Sequence, residues 1–537
     1  MKIDLTFSIE NKIKEFIINN SKEIKLFFIL FLITTIIYGQ KLFFYSLATD
    51  DYQRFYTGGG EQASILGRWM AGIINQNLFT GALHILPYFN GLLGVFSFTL
   101  AGFLTAKYLN RNNVFEVSVI TLLITATPFV ADNLYYNTNT SAWFTTLFGV
   151  AGLMLAYKQS KFLKLLGFSL LVIAIGSYQT IIQVTLSMIV IKTIIDLMEA
   201  NNFQEIKIIV FNAFLFIGFV LLAFAVSTII NALYIEYNHL TIEYKYRVAK
   251  KVASLSVYTD RIETMYKDAY DLDFKLLYFQ TKFSFIYALM TVFGTIGGFI
   301  FLIKNTTTKK IKILSILLLI ILFLTIPLII NLPLITGNRV PARAHYAIGW
   351  ILAGLFIIQM ISFKGVFKTM SSILAISIII VSTYYINVFF DAASRQTSSD
   401  IIRINQIANR ILTDKNYISE PLKFRIIGRK SFPVGGWHFG NQALNSGWSK
   451  YSSFKKFTDL KYTKMNNKEY NEVADYLIQK GETINTYPGK NSIVVYENKA
   501  ILFLNLDKEP NKINTAINIS KLSDRNPDIA STSILKP

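Results

Sequence analysis

Apolar runs of about 20 residues recur along this chain, and they constrain its fold more than any other feature. Hydrophobic residues make up 52% of the 537 residues and charged residues only 16%, whereas soluble domains carry about 25% charged residues. A segment that crosses a bilayer must satisfy its backbone hydrogen bonds internally, so it forms a helix. The sequence therefore predicts an all-α polytopic membrane bundle.

About eleven spanning helices are predicted from these runs. The first run has no small-residue cleavage site at its end, so we expect it to be retained rather than removed as a signal peptide. The predicted spans are 27–47, 84–106, 114–131, 142–157, 163–177, 179–198, 208–234, 284–303, 313–332, 346–362 and 369–390.

Lysine and arginine in the short connections set the expected orientation. They recur in the N-terminal segment and in alternate connections, for example at Lys107, Lys158, Lys309 and Lys364. Cytoplasmic loops carry this excess, so the N-terminus is predicted inside. An odd number of spans then places the region after residue 390 outside the cytoplasm, together with the loop that follows the first span.

The composition becomes more polar after residue 390, which predicts a small α+β domain outside the membrane. Helices are expected at 396–413 and 467–480, a strand at 423–429, and a possible hairpin within 491–505. The predicted organisation is a cytoplasmic segment 1–26, a membrane domain 27–390 with outer loops 48–83 and 235–283, an extracytoplasmic domain 391–507, and a tail 508–537 whose composition is typical of disorder.

Charge and cysteine content exclude several classes of function. The net charge is +20 and there is no cysteine, which removes disulfides, zinc–thiolate sites and thiol nucleophiles. The sequence contains no module that reads nucleic-acid bases, and anionic headgroups of the lipid bilayer are a sufficient partner for the positive charge. We therefore expect no nucleic-acid partner. No cofactor is predicted, and dependence on a divalent metal stays open.

Two adjacent carboxylates, Asp50 and Asp51, follow directly after the first span. They are expected at the membrane–water boundary, where a lipid-carried substrate would present its reacting end. From Glu61 onward the loop is predicted to form one amphipathic helix in the plane of the interface, with Arg68 on its polar face. Such an acidic pair can also mark no more than a helix boundary in water, but its place beside this helix favours catalysis by Asp50 or Asp51.

The outer ends of other spans add charged and aromatic side chains. Carboxylates bind hydroxyl groups and can accept a proton from one, arginine matches phosphate oxygens with a planar fork, and aromatic rings can stack on sugars. Snorkelling, helix ends and tight turns explain each of these residues equally simply when it is taken alone. The candidates for substrate binding are Arg68, Asp132, Tyr178, Gln179, Arg339 and Arg343.

Together these residues suit a single displacement on a sugar carried by a polyprenyl phosphate. A carboxylate would deprotonate an acceptor hydroxyl, which would attack the anomeric carbon through a transition state like that of glycosidases. A cationic side chain would stabilise the departing lipid phosphate.

The same residues resemble motifs of the O-antigen-modifying (type II) glucosyltransferase family, integral-membrane enzymes of the GT-C class. The similarity rests on Asp50-Asp51, Gly67-Arg68-Trp69, Ser177-Tyr178-Gln179 and Arg339. It covers roughly residues 25–395, and the outer domain more loosely.

The resemblance implies an enzyme of the bacterial cytoplasmic (inner) membrane that transfers a glucosyl or related unit from undecaprenyl-phosphate sugar to a surface polysaccharide of lipopolysaccharide. By similarity, Asp50 or Asp51 is the catalytic carboxylate. A polyprenyl-phosphate glycosyltransferase that charges the lipid and a flippase that turns it over are the implied functional partners.

Two other interpretations stay open. A GT-C transferase could act on a different acceptor, such as teichoic acid, lipid A or protein. A non-enzymatic transporter of polyprenyl lipids would also have many helices, but transporters place ionisable residues near the middle of the membrane. The apolar runs of this chain contain few charges, which favours the enzyme.

Overall fold

The computed structural model describes residues 18–52, 60–77, 87–240, 255–274, 284–305, 309–335, 341–418, 421–432, 442–445, 449–505 and 513–516. Two compact units emerge from the contacts. The first contains residues 1–44 and 58–390, and the second contains 45–57 and 391–537. The predicted tail 508–537 lies outside the described residues except for 513–516.

The first unit is helical, because its long apolar runs can satisfy their backbone groups only as helices in lipid. Its helices are α1 (Ser21–Ile37), α2 (Gly39–Phe43), α3 (Gly60–Ile65), α4 (Trp69–Asn77), α5 (Pro87–Tyr108), α6 (Val114–Thr125), α7 (Pro128–Tyr135), α8 (Thr140–Ala156), α9 (Lys161–Ser177), α10 (Ile181–Glu199), α11 (Phe203–Tyr237), α12 (Leu255–Phe274), α13 (Ser284–Asn305), α14 (Lys309–Ile330), α15 (Ile348–Ser362) and the first part of α16 (Val366–Leu412).

Each predicted span overlaps one or two of these helices, since the span 27–47 continues past α1 and the span 114–131 includes parts of α6 and α7. The count of eleven is not confirmed. Among the described residues, six helices are long and apolar enough to cross a membrane, or seven if α6 and α7, which meet at a bend of 49°, form one broken span. The count falls because α1, α8 and α9 have 17 residues and α15 has 15. At 1.5 Å per residue, 17 residues reach about 25 Å, less than the roughly 30 Å of a hydrocarbon core.

Helices α8 and α9 show how closely this bundle packs. A Cβ atom on Gly152 would lie 2.7 Å from the carbonyl oxygen of Gly167, and one on Gly167 would lie 2.5 Å from that of Gly152. In lipid the hydrophobic effect does not drive helices together, so their association depends on close packing. Small residues allow this packing because they let the two backbones approach. The close approach holds the end of α8 against the start of α9, and the candidate residues Tyr178 and Gln179 follow directly after α9.

The predicted amphipathic helix from Glu61 onward is wrong. The chain forms two short helices, α3 and α4, that are separated at Gly67, whose φ is +81°. The polar side chains of Ser64 and Asn75, which a helix in the plane of the interface would expose to water, are buried at 0% and 6% exposure. Glycine breaks the helix here because it adopts positive φ without a steric penalty.

The second unit combines a sheet with helices, as the sequence predicts. It contains the end of α16, then β1 (Leu422–Ile427), α17 (Ser449–Phe457), β2 (Tyr462–Lys464), α18 (Asn467–Lys480), β3 (Ile493–Tyr496) and β4 (Lys499–Phe503). The strand order is β2-β1-β4-β3, with β1 parallel to both of its neighbours and β3 antiparallel to β4.

Helix α18 has the bounds that the sequence predicts. The Asn466 side chain accepts from the backbone N–H of Glu469, the Glu469 side chain caps in return, and Gly481 ends the helix with φ +67°. These are the residue types that begin and end helices. Its apolar face, which includes Val473 and Leu477, belongs to the same core cluster as Ile501 and Phe503 of β4.

Candidate active site

The acidic pair lies in a turn that belongs to the second unit, residues 45–52, here called the acidic turn. Residues 49–52 are helical. Asp51 is fully buried, and its Oδ2 accepts a hydrogen bond of 2.9 Å from the backbone N–H of Ala48. The N–H of Asp51 donates to the carbonyl of Ala48 at 3.0 Å. This exchange resembles a capping box, so the Asp51 carboxylate stabilises the start of the helical turn.

Asp50 differs from its neighbour in exposure and in contacts. Its side chain is half-buried, and it forms no hydrogen bond or ion pair with any residue that the structure describes. A carboxylate that accepts a proton must be able to reach the hydroxyl group that gives it. The geometry therefore favours Asp50 over Asp51 as the acid–base group.

Helix α16 anchors the acidic turn inside the second unit. The backbone N–H of Leu47 donates to Thr397 Oγ1 at 3.0 Å. Tyr52 is fully buried, with its ring 6.0 Å from that of Phe457. Burial raises the pKa of Tyr52 well above its usual value, and the negative charge of nearby Asp400 adds to this shift. The turn that carries Asp50 is thus held on both sides.

Asp400 is the centre of this anchor. It is 1% exposed, its Oδ1 accepts from Gln396 Nε2 at 3.0 Å, and its Oδ2 accepts from the backbone N–H of Ala443 at 2.8 Å. It lies in the polar end of α16, within the second unit and beyond the apolar part of the helix. Burial raises the pKa of Asp400 to about 6, although these hydrogen bonds oppose the shift. The sequence analysis did not identify it, and a lone acid in a polar helix gives little signal.

In the first unit, Arg343 and Asp132 lie together. The guanidinium carbon of Arg343 is 4.1 Å from the centroid of the Tyr136 ring. The Asp132 carboxylate accepts from the backbone N–H of Arg343, and Asn133 Nδ2 donates to the Arg343 carbonyl at 3.0 Å. Residues of α7 therefore bind both backbone polar groups of Arg343, its N–H and its carbonyl. Arg343 lies in a short 3-10 helix formed by residues 342–344. The guanidinium stacks on an aromatic face, as arginines in anion-binding sites often do.

Arg68 and Tyr178 form a second stack in the first unit. The guanidinium carbon of Arg68 lies 4.5 Å from the centroid of the Tyr178 ring, and that ring stacks with the ring of Tyr346 at 6.4 Å. The Tyr346 hydroxyl accepts from Thr180 Oγ1 at 3.2 Å. Tyr346 follows Arg343 closely in the chain and stacks on Tyr178. The two arginine stacks of the first unit are therefore linked through Tyr346.

Gln179 fixes the backbone that carries Arg68. Its Nε2 donates to the carbonyl of Leu66 at 3.1 Å and to that of Gly67 at 2.8 Å. Both amide hydrogens are thereby directed to backbone oxygens. The geometry gives Gln179 a positioning role for Arg68, and its direct role in substrate binding stays a prediction.

Lys41 is a charged residue of this unit that the sequence analysis placed inside the first span. In the structure α1 ends at Ile37, and Lys41 in α2 is 2% exposed, with Nζ 3.0 Å from Asn137 Oδ1. A lysine within an apolar run is itself a sequence signal for a functional residue. Among the described residues, no group of three or more histidine, aspartate or glutamate side chains could hold a metal ion. Arg339 lies outside the described residues.

The fold and these side chains define a polytopic membrane protein with carboxylate and arginine clusters in two units, which is a class that includes lipid-dependent transferases. Comparison with protein families narrows this class. The family of glucosyl transferase GtrII matches residues 39–360, more than half of the chain, so this chain belongs to that family. The matched range includes every predicted site residue. The chain is therefore a membrane glycosyltransferase.

Two further comparisons add little. No curated protein matches the sequence. Among solved structures, the archaeal oligosaccharyltransferase AglB from Archaeoglobus fulgidus, in complex with an inhibitory peptide and a dolichol-phosphate, matches with 11% identity and a TM-score of 0.36. That match covers 85% of this chain and 66% of the archaeal chain. A likeness this distant supports no conclusion about the site.

Proposed function

We propose that this protein transfers a hexosyl unit, glucose in the first instance, from a polyprenyl-phosphate sugar to a surface polysaccharide such as O-antigen. The single observation that carries the mechanism is the contrast between Asp50 and Asp51. Asp51 is fully buried and accepts a hydrogen bond from the backbone of the acidic turn. Asp50 is half-buried and forms no hydrogen bond or ion pair with the described residues. This leaves Asp50 for the chemistry and Asp51 for the turn.

The proposed reaction is a single displacement. Asp50 takes the proton of the acceptor hydroxyl as the hydroxyl oxygen attacks the anomeric carbon. The bond between that carbon and the phosphate oxygen breaks, and its electron pair leaves with the polyprenyl phosphate. The transition state is like an oxocarbenium ion, so charge grows on the leaving phosphate and a cationic donor there lowers the barrier.

Arg68 and Arg343 are proposed to bind that phosphate, with Arg339 as a further candidate. Each described guanidinium stacks on a tyrosine ring by its face, and the N–H donors of a guanidinium lie in its plane. The contact with the ring therefore orients the guanidinium group without engaging its N–H donors. Tyr178 and Asp132 are proposed to orient the sugar and the Arg343 segment, respectively.

The protein is proposed to lie in a bacterial cytoplasmic membrane, with its N-terminus inside and the second unit outside. A separate enzyme would charge the lipid and a flippase would turn it over. This orientation places the acidic turn in the compartment where surface polysaccharide is modified.

An in vitro assay with the full-length protein in phosphatidylcholine nanodiscs tests the function directly. Radiolabelled glucose on polyprenyl phosphate is supplied with purified lipopolysaccharide, and matched reactions contain UDP-glucose as the donor. Transfer from the lipid donor alone supports the proposal. Transfer from UDP-glucose alone would reject the lipid donor. Transfer to lipid A lacking O-antigen, or to teichoic acid, would reassign the acceptor.

A further inference from the structure

The second unit contains a polar groove on the side of helix α17 and the strand that follows it. Two adjoining clefts of about 240 and 780 Å³ share Thr458 and Asp459 as lining residues. We call the two together the α17 groove. It is formed within the second unit and is separate in sequence from the acidic turn and from the arginine stacks.

The smaller cleft presents two amide side chains, whereas its Thr458 hydroxyl donates to the Phe454 carbonyl and accepts from the Leu460 N–H. Asn405 and Asn409, one turn apart on α16, line it together with Lys456 and Thr458. A planar amide can pair with the vicinal hydroxyls of a sugar because it donates and accepts at once, and the carboxylate of Asp459 can accept from them. Apolar docking of a protein partner would require a different lining.

The larger cleft is basic and has an aromatic wall. It is lined by Lys455, Lys461 and Tyr462, and both lysines are exposed. Lys455 Nζ lies 5.8 Å from the centroid of the Tyr462 ring. An aromatic ring beside an ammonium group suits a ligand with an apolar sugar face and a negative charge.

The local charge is strongly positive. Residues 449–464 contain five lysines and one acid, Asp459, which gives a net charge of +4. Lys450 is committed to structure, since its Nζ donates to the carbonyls of Ile426 and Gly428 at 2.9 Å each. The other four lysines of this stretch are exposed. A surface of this sign attracts anions and favours their association.

From this lining we propose that the α17 groove binds an anionic saccharide, a chain of sugars that carries carboxylates. The inference that this saccharide is the acceptor rests on the proposed function. It would narrow the acceptor from surface polysaccharides in general to acidic ones. Anionic lipid headgroups share the charge, but a flat headgroup layer does not need a cleft lined by paired amides, so the glycan is the occupant to test.

Binding is measured by calorimetry with the full-length protein in phosphatidylcholine nanodiscs and no donor present. The probe is tri-galacturonate, and its trimethyl ester is the neutral probe of matched size. The acid should bind at least about tenfold more tightly than the ester, and binding should weaken as salt rises. Equal binding of the two probes, or no binding of either, would overturn the proposal.

Matched variants locate the site. Lys455→Glu combined with Lys461→Glu should weaken binding of tri-galacturonate by about tenfold or more. Lys468→Glu combined with Lys490→Glu makes the same charge change at exposed positions of the same unit outside the groove, and should change it by less than about threefold. Asn405→Ala with Asn409→Ala, which keeps the charge, should weaken both probes. Equal losses in the two lysine pairs would show a general charge effect and reject the groove.

Competition distinguishes other anions. Inorganic phosphate or phosphatidylglycerol vesicles that displace the probe at equal charge concentration would mean a simple anion site or a lipid surface, and either result would reject the saccharide. All binding is repeated with Asp50→Asn. Retained binding without any detectable transfer in the wild type would reject the proposed function alone, whereas transfer without binding would reject the groove alone.

Discussion

The acidic turn of the second unit and the two arginine stacks of the first unit hold their charges in different ways. In the turn, the backbone takes one carboxylate, Asp51, and the neighbouring carboxylate is left half-exposed. In the stacks, each half-buried guanidinium lies against a tyrosine ring. A ring contact orients a cation at little electrostatic cost, whereas a buried carboxylate needs N–H donors. The two units therefore stabilise charges of opposite sign by different means.

The largest effect should come from Asp50→Asn. Removing a general base lowers rates by roughly 10²–10⁴-fold, and the amide keeps the size of the side chain. Transfer from the lipid donor should fall by about that amount, while the melting temperature of the protein in nanodiscs stays unchanged.

Asp51→Asn is the matched control, because it makes the same change one residue away. It should destabilise the protein by about 1–3 kcal/mol, since the buried hydrogen bond to Ala48 loses its charged acceptor. Transfer per folded molecule should fall less than in Asp50→Asn. The reverse ranking of the two variants would exchange the roles of the two aspartates.

Arg343→Ala should raise the KM for the lipid donor by about ten- to a hundredfold, as expected for the loss of charged hydrogen bonds to phosphate. Arg343→Lys should recover only part of this, because an ammonium group lacks the planar fork. Arg425→Ala serves as the control. Arg425 stacks on Tyr470 at 4.3 Å in the second unit, so its loss should affect stability without affecting the donor KM. Equal KM changes in the two alanine variants would remove the phosphate role.

The pH dependence of stability tests the role of Asp400, the buried carboxylate that anchors the acidic turn. Its pKa is raised in the folded protein from 3.8 to about 6, so the folded state binds the proton more tightly than the unfolded state does. The stabilisation is complete below about pH 4 and is lost as the pH rises through about 6, by at most about 3 kcal/mol. In Asp400→Asn the melting temperature should therefore fall less between pH 5 and pH 7.5 than in the wild type. An unchanged slope would show that another group causes it.

Gly67→Ala should give the smallest effect. A Cβ at this positive φ is strained by about 1 kcal/mol, and it would lie 2.7 Å from Gln179 Nε2. Gly365→Ala is matched, since Gly365 also has positive φ, +56°, but open space around it. Both variants should lose stability, whereas only Gly67→Ala should also raise the donor KM, through Arg68. A normal KM in Gly67→Ala would show that Gln179 does not position Arg68.

Some of this structure was predictable from the sequence, because its signals are local. Apolar runs identify the long apolar helices of the first unit, and the capping residues of Asn467–Lys480 give that helix its ends. The three-residue strand Tyr462–Lys464 was missed, because its pairing with β1 depends on tertiary contacts. The number of spans stays unconfirmed, since four of the predicted spans form helices of only 15 or 17 residues.

The candidate site was predictable as a set of residues but not as a set of roles. The pattern places Asp50 beside Asp51 with nothing to separate them, and only burial makes them different. Gln179 looked like a ligand for substrate, but its amide contacts residues 112 and 113 positions earlier in the chain. Asp400 was missed because burial of a single charge is a property of the fold, whereas Lys41 stands in an apolar run and could have been identified there.

The contact between Leu47 and Thr397 joins residues 350 positions apart, and it has a consequence for how the protein is made. The segment with Asp50 leaves the ribosome early, but its anchor on α16 is synthesised much later. Strand β1 can pair with β4 only after that strand has also been synthesised. Closing so long a loop is slow and comes late in folding. A nascent or truncated chain would therefore insert its first helices without the contact that anchors the acidic turn on α16.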